Sequence, residues 1–339
     1  FHVFGVTTII IALITYCIAP IVATQPSWFY VMVVVTVLLF TELKHTFTEL
    51  AQRMKNDEMI TLAKFLAISG IILPMLPNEN LIPDINLTPY TVWLATVVVS
   101  GISYLSYLLR RYVFHESGIL VSGIIGGLYS STATISVLAR KSRKAPAQEA
   151  PEYAAAMLLA VSMMFLRFLI LIGIFSKAIL AEIYPYLLIM SFVTAGVAWY
   201  LHRKRKSIPV TGEEAEEEDS SNPLEFKVAL IFAVLFVIFT IVTHYTLIYT
   251  GTGGLNVLSF IAGLSDITPF ILNLLQGSGV AVVVVTACCM QAIVSNIAVN
   301  MCYALFFAGG KSPLRRWVLR GFGGVIAVNV CLLLFFYLL

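Results

Sequence analysis

Apolar residues in this chain neither alternate nor keep to one helical stripe. They run on in blocks about as long as a hydrocarbon core is thick, roughly 20 helical residues each. A helix that is apolar on every side is buried in protein or lipid. The blocks predict spanning helices over 5–23, 28–43, 60–76, 90–109, 154–175, 183–201, 226–249, 280–307 and 317–339. Two further stretches differ in kind: GILVSGIIGGLYSSTATISVLA at 118–139 and LNVLSFIAGLSDITPFILNLLQ at 255–276. Each carries glycine and a hydroxyl cluster in its middle, where a lipid-facing helix would stay apolar. They read as broken or re-entrant helices, which exist at membrane depth only where protein or a wet cavity satisfies their backbone.

Composition agrees with that reading. Of 339 residues, 59% are hydrophobic and 12% charged, about half the charged share of a soluble domain. This excludes a soluble enzyme, a disulfide-stapled secreted module and a disordered chain. A net charge of +3, with no basic groove, sets nucleic acid aside. Cys17, Cys288, Cys289, Cys302 and Cys331 all lie in apolar runs without metal-ligand spacing and read as small core residues.

Basic residues in short loops accumulate on the cytoplasmic side. If both interrupted stretches enter and return on one side, 19 of the 21 Lys and Arg residues lie in the cytoplasm, with Lys177 outside and Arg167 within the membrane. Full crossings would instead move the basic groups from Arg140 to Lys144 and from Arg203 to Lys227 outside. The expected architecture is therefore an all-α polytopic membrane protein of about nine spans plus two re-entrant elements. An internal repeat follows: residues 90–206 and 224–339 each run span, re-entrant element, span, span. GGLYSSTAT at 126–134 lies over AGLSDITPF at 262–270, pairing Gly127 with Gly263 and Thr132 with Thr268. Three crossings per unit invert the second relative to the first, an architecture of many secondary transporters. Residues 1–77 form the N-terminal helices. The acidic 207–223 segment, preceded by basic residues from Arg203 to Lys206, reads as a cytoplasmic tether.

Ionisable groups at membrane depth are functional candidates because each costs roughly 2.5 kcal/mol or more there. Two stand well inside: Asp266, in the second interrupted element, and Arg167, in the span MLLAVSMMFLRFLILIGIF. In one reading Asp266 with Thr268, Asn273, Asn296 and Asn300 coordinates a hard cation or shuttles a proton. Pro269 then frees nearby carbonyls, and Ser130, Ser131, Thr132 and Thr134 line the other half of the path. In the other, Asp266 and Arg167 form a buried structural pair. Arg167 also permits an anion held by its guanidinium. No GxSxG, HExxH or Ser/His/Asp grouping is present, and an enzyme is not expected.

The segments AKFLAISGIILPMLP at 63–77, WLATVVVSGISYLSYLLRR at 93–111, GGLYSSTATISVLAR at 126–140 and AGLSDITPF at 262–270 resemble the MgtC/SapB-like bacterial membrane proteins. The likeness is to the C-terminal membrane domain of their longer members and covers about residues 45–335. The first 45 residues resemble the tail of an upstream MgtC-like region, so further helices are expected before Phe1. The resemblance implies a multi-pass protein of the bacterial inner membrane associated with magnesium homeostasis. The expected function is a transporter or channel for a small ion, with a divalent cation such as Mg²⁺ favoured and bound at Asp266. The alternative is a non-transporting regulator that binds another membrane protein. The expected partners are the lipid bilayer and a small ion or solute, with self-association left open and no cofactor.

Overall fold

The computed structural model describes residues 6–24, 31, 33–35, 38, 56–80, 85, 87–109, 118–204, 226–277, 280–310 and 312–338. Most of the expected 28–43 span and all of the acidic 207–223 tether lie outside them. The chain packs as two units, Phe1–Ala63 and Lys64–Leu339. The first holds α1 (Val6–Thr24) and the start of α2 (Asn56–Ala67). In the second, α2 continues through a π-helical turn, Ile68–Ile72, into Leu73–Met75. There follow α3 (Pro89–Leu108), α4 (Ile119–Lys141), α5 (Ala150–Phe175), α6 (Lys177–Arg203), α7 (Phe226–Gly263), α8 (Ile267–Gln276), α9 (Val282–Ala308) and α10 (Leu314–Leu338). Seven of these, α3 to α7 with α9 and α10, are long and apolar enough to cross a membrane, while Ile60–Met75 and α8 are shorter apolar helices. The chain is an all-helical, multi-pass membrane protein.

Local chemistry sets the helix ends. Thr88 accepts from the Thr91 amide while Thr91 Oγ1 accepts from the Thr88 amide, and Pro89 follows at the first helical position, where its missing donor costs nothing. Ser176 closes α5 and also opens α6, its hydroxyl accepting from the Ile179 amide, so these two helices are joined by a single residue. The π-turn carbonyl of Ile68 accepts from Trp93 Nε1 at 3.0 Å, tying it to α3.

The core lies around α5 and α9. Ala154, Ala155, Ala156, Met157 and Leu158 are fully buried along α5, and residues 285–297 of α9 are buried without interruption. Helix α5 packs against α4, α6, α8 and α10, and α9 against α4, α6, α7, α8 and α10. Lipid tails are as apolar as leucine, so small residues and hydrogen bonds decide how such helices associate. Ser162 Oγ donates to the Ser191 carbonyl at 2.9 Å between α5 and α6, and Tyr186 Oη donates to Asn329 Oδ1 at 2.5 Å between α6 and α10. At the base of α4, Arg143 Nε donates to the Phe307 carbonyl, and Arg140 lies 4.4 Å from the Phe307 ring centroid, anchoring the loop to the end of α9.

Two helices are broken. Ser130 inside α4 is extended (φ −156°, ψ 109°), and Gly251 inside α7 has φ +64°, a conformation that glycine adopts without strain. Contacts reveal what the first break does. Gly123 abuts the backbone of Ala156, and Gly127 that of Ala160, so the first half of α4 runs beside α5 in the same direction. Only residues 142–149 join α4 to α5, so an unbroken α4 would run opposite to it. A Cβ on Gly126 would lie 2.5 Å from Thr134 Oγ1, whereas eight residues of straight helix span about 12 Å. The second half of α4 therefore turns back on the first.

The region after Gly251 behaves alike. Cys288 pairs with Asn256, Ser295 with Phe260 and Asn296 with Gly263, so residues 252–263 run beside α9 in its own direction. The chain then turns through Leu264–Asp266 into α8, which packs on the first part of α7: Asn273 Nδ2 donates to the Phe239 carbonyl and to Thr243 Oγ1.

Candidate functional site at the two helix breaks

Each turn leaves carbonyls at the end of one half-helix and amides at the start of the next. At the first, Ser130 Oγ accepts from the Ala133 amide at 3.3 Å, and the Tyr129 carbonyl accepts from Arg167 Nη1 at 2.8 Å. At the second, Asp266 Oδ1 accepts from the Thr268 amide at 3.0 Å, and the Gly263 and Ser265 carbonyls accept from Asn296 Nδ2 at 3.3 and 3.4 Å. Each turn thus has a side-chain acceptor for its amides and a side-chain donor, from the crossing helix that follows, for its carbonyls. Arg167 bonds the first turn and feels the Coulomb field of Asp266 at the second.

Of the residues expected to share the site, the structure gathers some and separates others. Asp266 is not covered by protein, while Thr268 beside it is buried. Ser130 and Thr132 are half-buried, Ser131 is buried, and Thr134 fills the crook against Gly126. Asn273 does not join Asp266. Seven residues of helix, about 10 Å, lie between them, and its amide is engaged on α7. Asn296 and Asn300 do share a buried face, but Asn296 uses its amide as a donor and its Oδ1 accepts from Asn300 Nδ2 at 3.1 Å. That leaves Asn300 Oδ1, fully buried, without a hydrogen-bond partner among the described residues. Pro269 stands in the first turn of α8, where no amide partner is required, so it opens a helix and frees no carbonyl. No salt bridge joins Asp266 to Arg167: Asp266 caps its own helix, Arg167 bonds a carbonyl, and Arg167 Nε is cut off from solvent with no hydrogen-bond partner among the described residues.

The ligand capacity follows from these positions. Among the described residues no group of three or more His, Cys, Asp or Glu side chains comes together. A cation placed at Asp266 would have to draw its remaining oxygens from carbonyls, hydroxyls and water. Sequence reasoning missed the Tyr129 and Ser265 carbonyls, which no side-chain pattern announces, and the role of Asn296 as a carbonyl donor.

Residues 97–308 match the family described as a domain of unknown function, DUF4010. An uncharacterized protein of Aquifex aeolicus (strain VF5) is 26% identical over 201 residues, covering 57% of this chain and 84% of that protein. No solved structure matches.

Proposed function

For this chain, which belongs to the DUF4010 family, we propose a membrane transporter or channel for a small ion, built as an inverted repeat around the two broken helices. The reading rests on one observation: the elements recur at a constant offset of 136 residues, the separation of Gly127 and Gly263. Moved by that offset, Ser130 falls on Asp266 and Tyr129 on Ser265, the paired acceptors and carbonyls of the two turns. The second half of α4, 131–141, falls on 267–277, against Ile267–Gln276 for α8. Gly123 and Gly127 fall on Ser259 and Gly263, and Ala160, which Gly127 approaches, falls on Asn296, which donates to the Gly263 carbonyl.

Within a bilayer, each hairpin enters and leaves on one face, so each unit crosses three times and the second is upside down. Both hairpin tips then lie at membrane depth, where irregular backbone is tolerated only beside protein or a wet cavity. Crossed packing brings them together: α4 of the first unit touches α9, and α8 of the second touches α5. A centre of this kind suits ion movement because carbonyl and hydroxyl oxygens replace part of a hydration shell while the site stays weak enough to release. Asp266 supplies the negative charge for a hard cation, and Mg²⁺ is the first to test, on the strength of the MgtC/SapB-like resemblance.

The experiment is flux into proteoliposomes for Mg²⁺, Na⁺, K⁺ and H⁺, with chloride, nitrate, sulfate and acetate as the anions. The expected result is movement of at least one ion, reduced by at least tenfold in Asp266→Asn while expression and folding survive. A chain that moves none of them is not a small-ion transporter, and the regulatory reading then replaces this one.

A further inference from the structure

Arg167 is a guanidinium at membrane depth whose surroundings leave it short of a counter-charge. Of its five N–H donors, one on Nη1 goes to the Tyr129 carbonyl, while Nε is shielded from solvent and has no hydrogen-bond partner among the described residues. A carbonyl supplies a dipole and not a charge. Asp266 attracts the guanidinium from a distance, but it is uncovered by protein and one of its oxygens is committed to the Thr268 amide. Charge inside a bilayer is almost always matched by another charge or by backbone carbonyls, and a single carbonyl serves only one of the five donors of this guanidinium. Among the described residues, no carboxylate forms an ion pair with this guanidinium, whose remaining donors and charge are available to a small anion.

We infer that Arg167 holds a small anion at the tip of the first hairpin, so that the transported species, or an ion moved with it, is anionic. The inference rests on the transport reading above and narrows its substrate class. A guanidinium suits an anion of this kind because its donors lie in one plane, in a fixed fork that matches carboxylates and other oxyanions, and because it stays charged at every physiological pH. The second half of α4 begins at the same tip, at Ser131, and its amide end adds positive potential there. Asp266 and Arg167 cancel each other, so the loaded centre is neutral when the cation and the anion carry equal and opposite charge, which lowers the cost of carrying either ion across the low-dielectric interior.

The test uses the full chain purified in detergent, with sodium chloride, nitrate, sulfate and acetate each exchanged at constant ionic strength against sodium gluconate as a bulky reference. At least one of the four should raise the unfolding temperature in a saturable way. Arg167→Gln should abolish that shift, and Arg167→Lys should weaken the apparent affinity by tenfold or more, because an ammonium lacks the planar fork. Should Arg167→Gln not fold, Arg167→Gln with Asp266→Asn removes both charges together and must likewise lose the shift. Absence of a saturable shift with all four anions, or a shift that persists in the glutamine variant or the double variant, overturns the inference. Flux separates it from the reading it rests on. Anion binding without flux of any ion defeats transport and leaves the anion site standing. Cation flux in a protein that binds none of the four anions defeats the anion site and leaves transport standing.

Discussion

Replacing Gly127 by alanine tests the reversal of α4 at the point where the geometry is least forgiving. A Cβ there would lie 2.6 Å from the carbonyl oxygen of Ala160, 2.9 Å from its carbonyl carbon, and nearer still to its Cα. Ordinary contact begins at 3.4 Å, so the hairpin and α5 must part by at least the 0.8 Å difference. Every atom met is backbone, and no rotamer change relieves it. Overpacking of this kind costs about 1–3 kcal/mol. Against it stands the gain from replacing glycine within a helix, about 0.5–1 kcal/mol, which leaves a net loss of up to about 2.5 kcal/mol. Gly196 in α6 is the control, because a Cβ there meets nothing within 4 Å and only the gain applies. Thermal unfolding in detergent should therefore move in opposite directions, with Gly127→Ala below the parent by up to about 10 °C and Gly196→Ala at or above it. Removing the Ala160 methyl by Ala160→Gly should not rescue Gly127→Ala. If Gly127→Ala matches or exceeds Gly196→Ala, the first half of α4 does not lie on α5, and a reversal at Ser130 is refuted.

Three further outcomes are expected. Tyr186→Phe leaves the buried Asn329 Oδ1 without its donor and should cost about 1–3 kcal/mol, read by denaturant titration. Asn273→Ala and Thr243→Ala should each destabilise by about 1 kcal/mol, and the double variant by less than their sum, because both remove the same α8–α7 bond. With the native cysteines replaced, single cysteines at position 142 should react with a membrane-impermeant thiol reagent only from the cytoplasmic face, and at 80 and 181 only from outside; labelling of position 142 from outside would mean that α4 crosses.

Much of this architecture is legible in the sequence because a membrane leaves little freedom. Twenty apolar residues in lipid are a helix, and a Gly and hydroxyl cluster in the middle of such a run has to be explained by a break. YSST and LSDIT mark the two turns at Ser130 and Asp266, and TGTGG at 250–254 separates the two parts of α7. Pairing across units is not legible, since spacing along the chain does not say which side chain reaches which carbonyl. As two opposite charges in one bilayer, Arg167 and Asp266 are natural partners on sequence grounds. The structure instead gives each a local backbone duty, because every unpaired amide or carbonyl at a helix break costs several kcal/mol in lipid. Asn273 stands close to Asp266 in sequence alone, because a helix carries it about 10 Å away.

The two turns also serve as controls for each other. Each needs an acceptor for its free amides and a donor for its free carbonyls. At the first, the acceptor is neutral (Ser130) and the donor charged (Arg167); at the second, the acceptor is charged (Asp266) and the donor neutral (Asn296). Serine at one turn and asparagine at the other satisfy the backbone without charge, so neither the carboxylate of Asp266 nor the guanidinium of Arg167 is required by the fold. Serine and aspartate are near-equal helix caps. Asp266→Ser should therefore leave stability within about 0.5 kcal/mol of the parent, and removing a charge from membrane depth offsets any weaker capping. If the carboxylate serves ion movement, the same substitution should reduce flux at least tenfold. A protein that unfolds when Asp266 becomes serine would show that the charge holds the turn together, and the case for Asp266 as an ion ligand would lose its main physical ground.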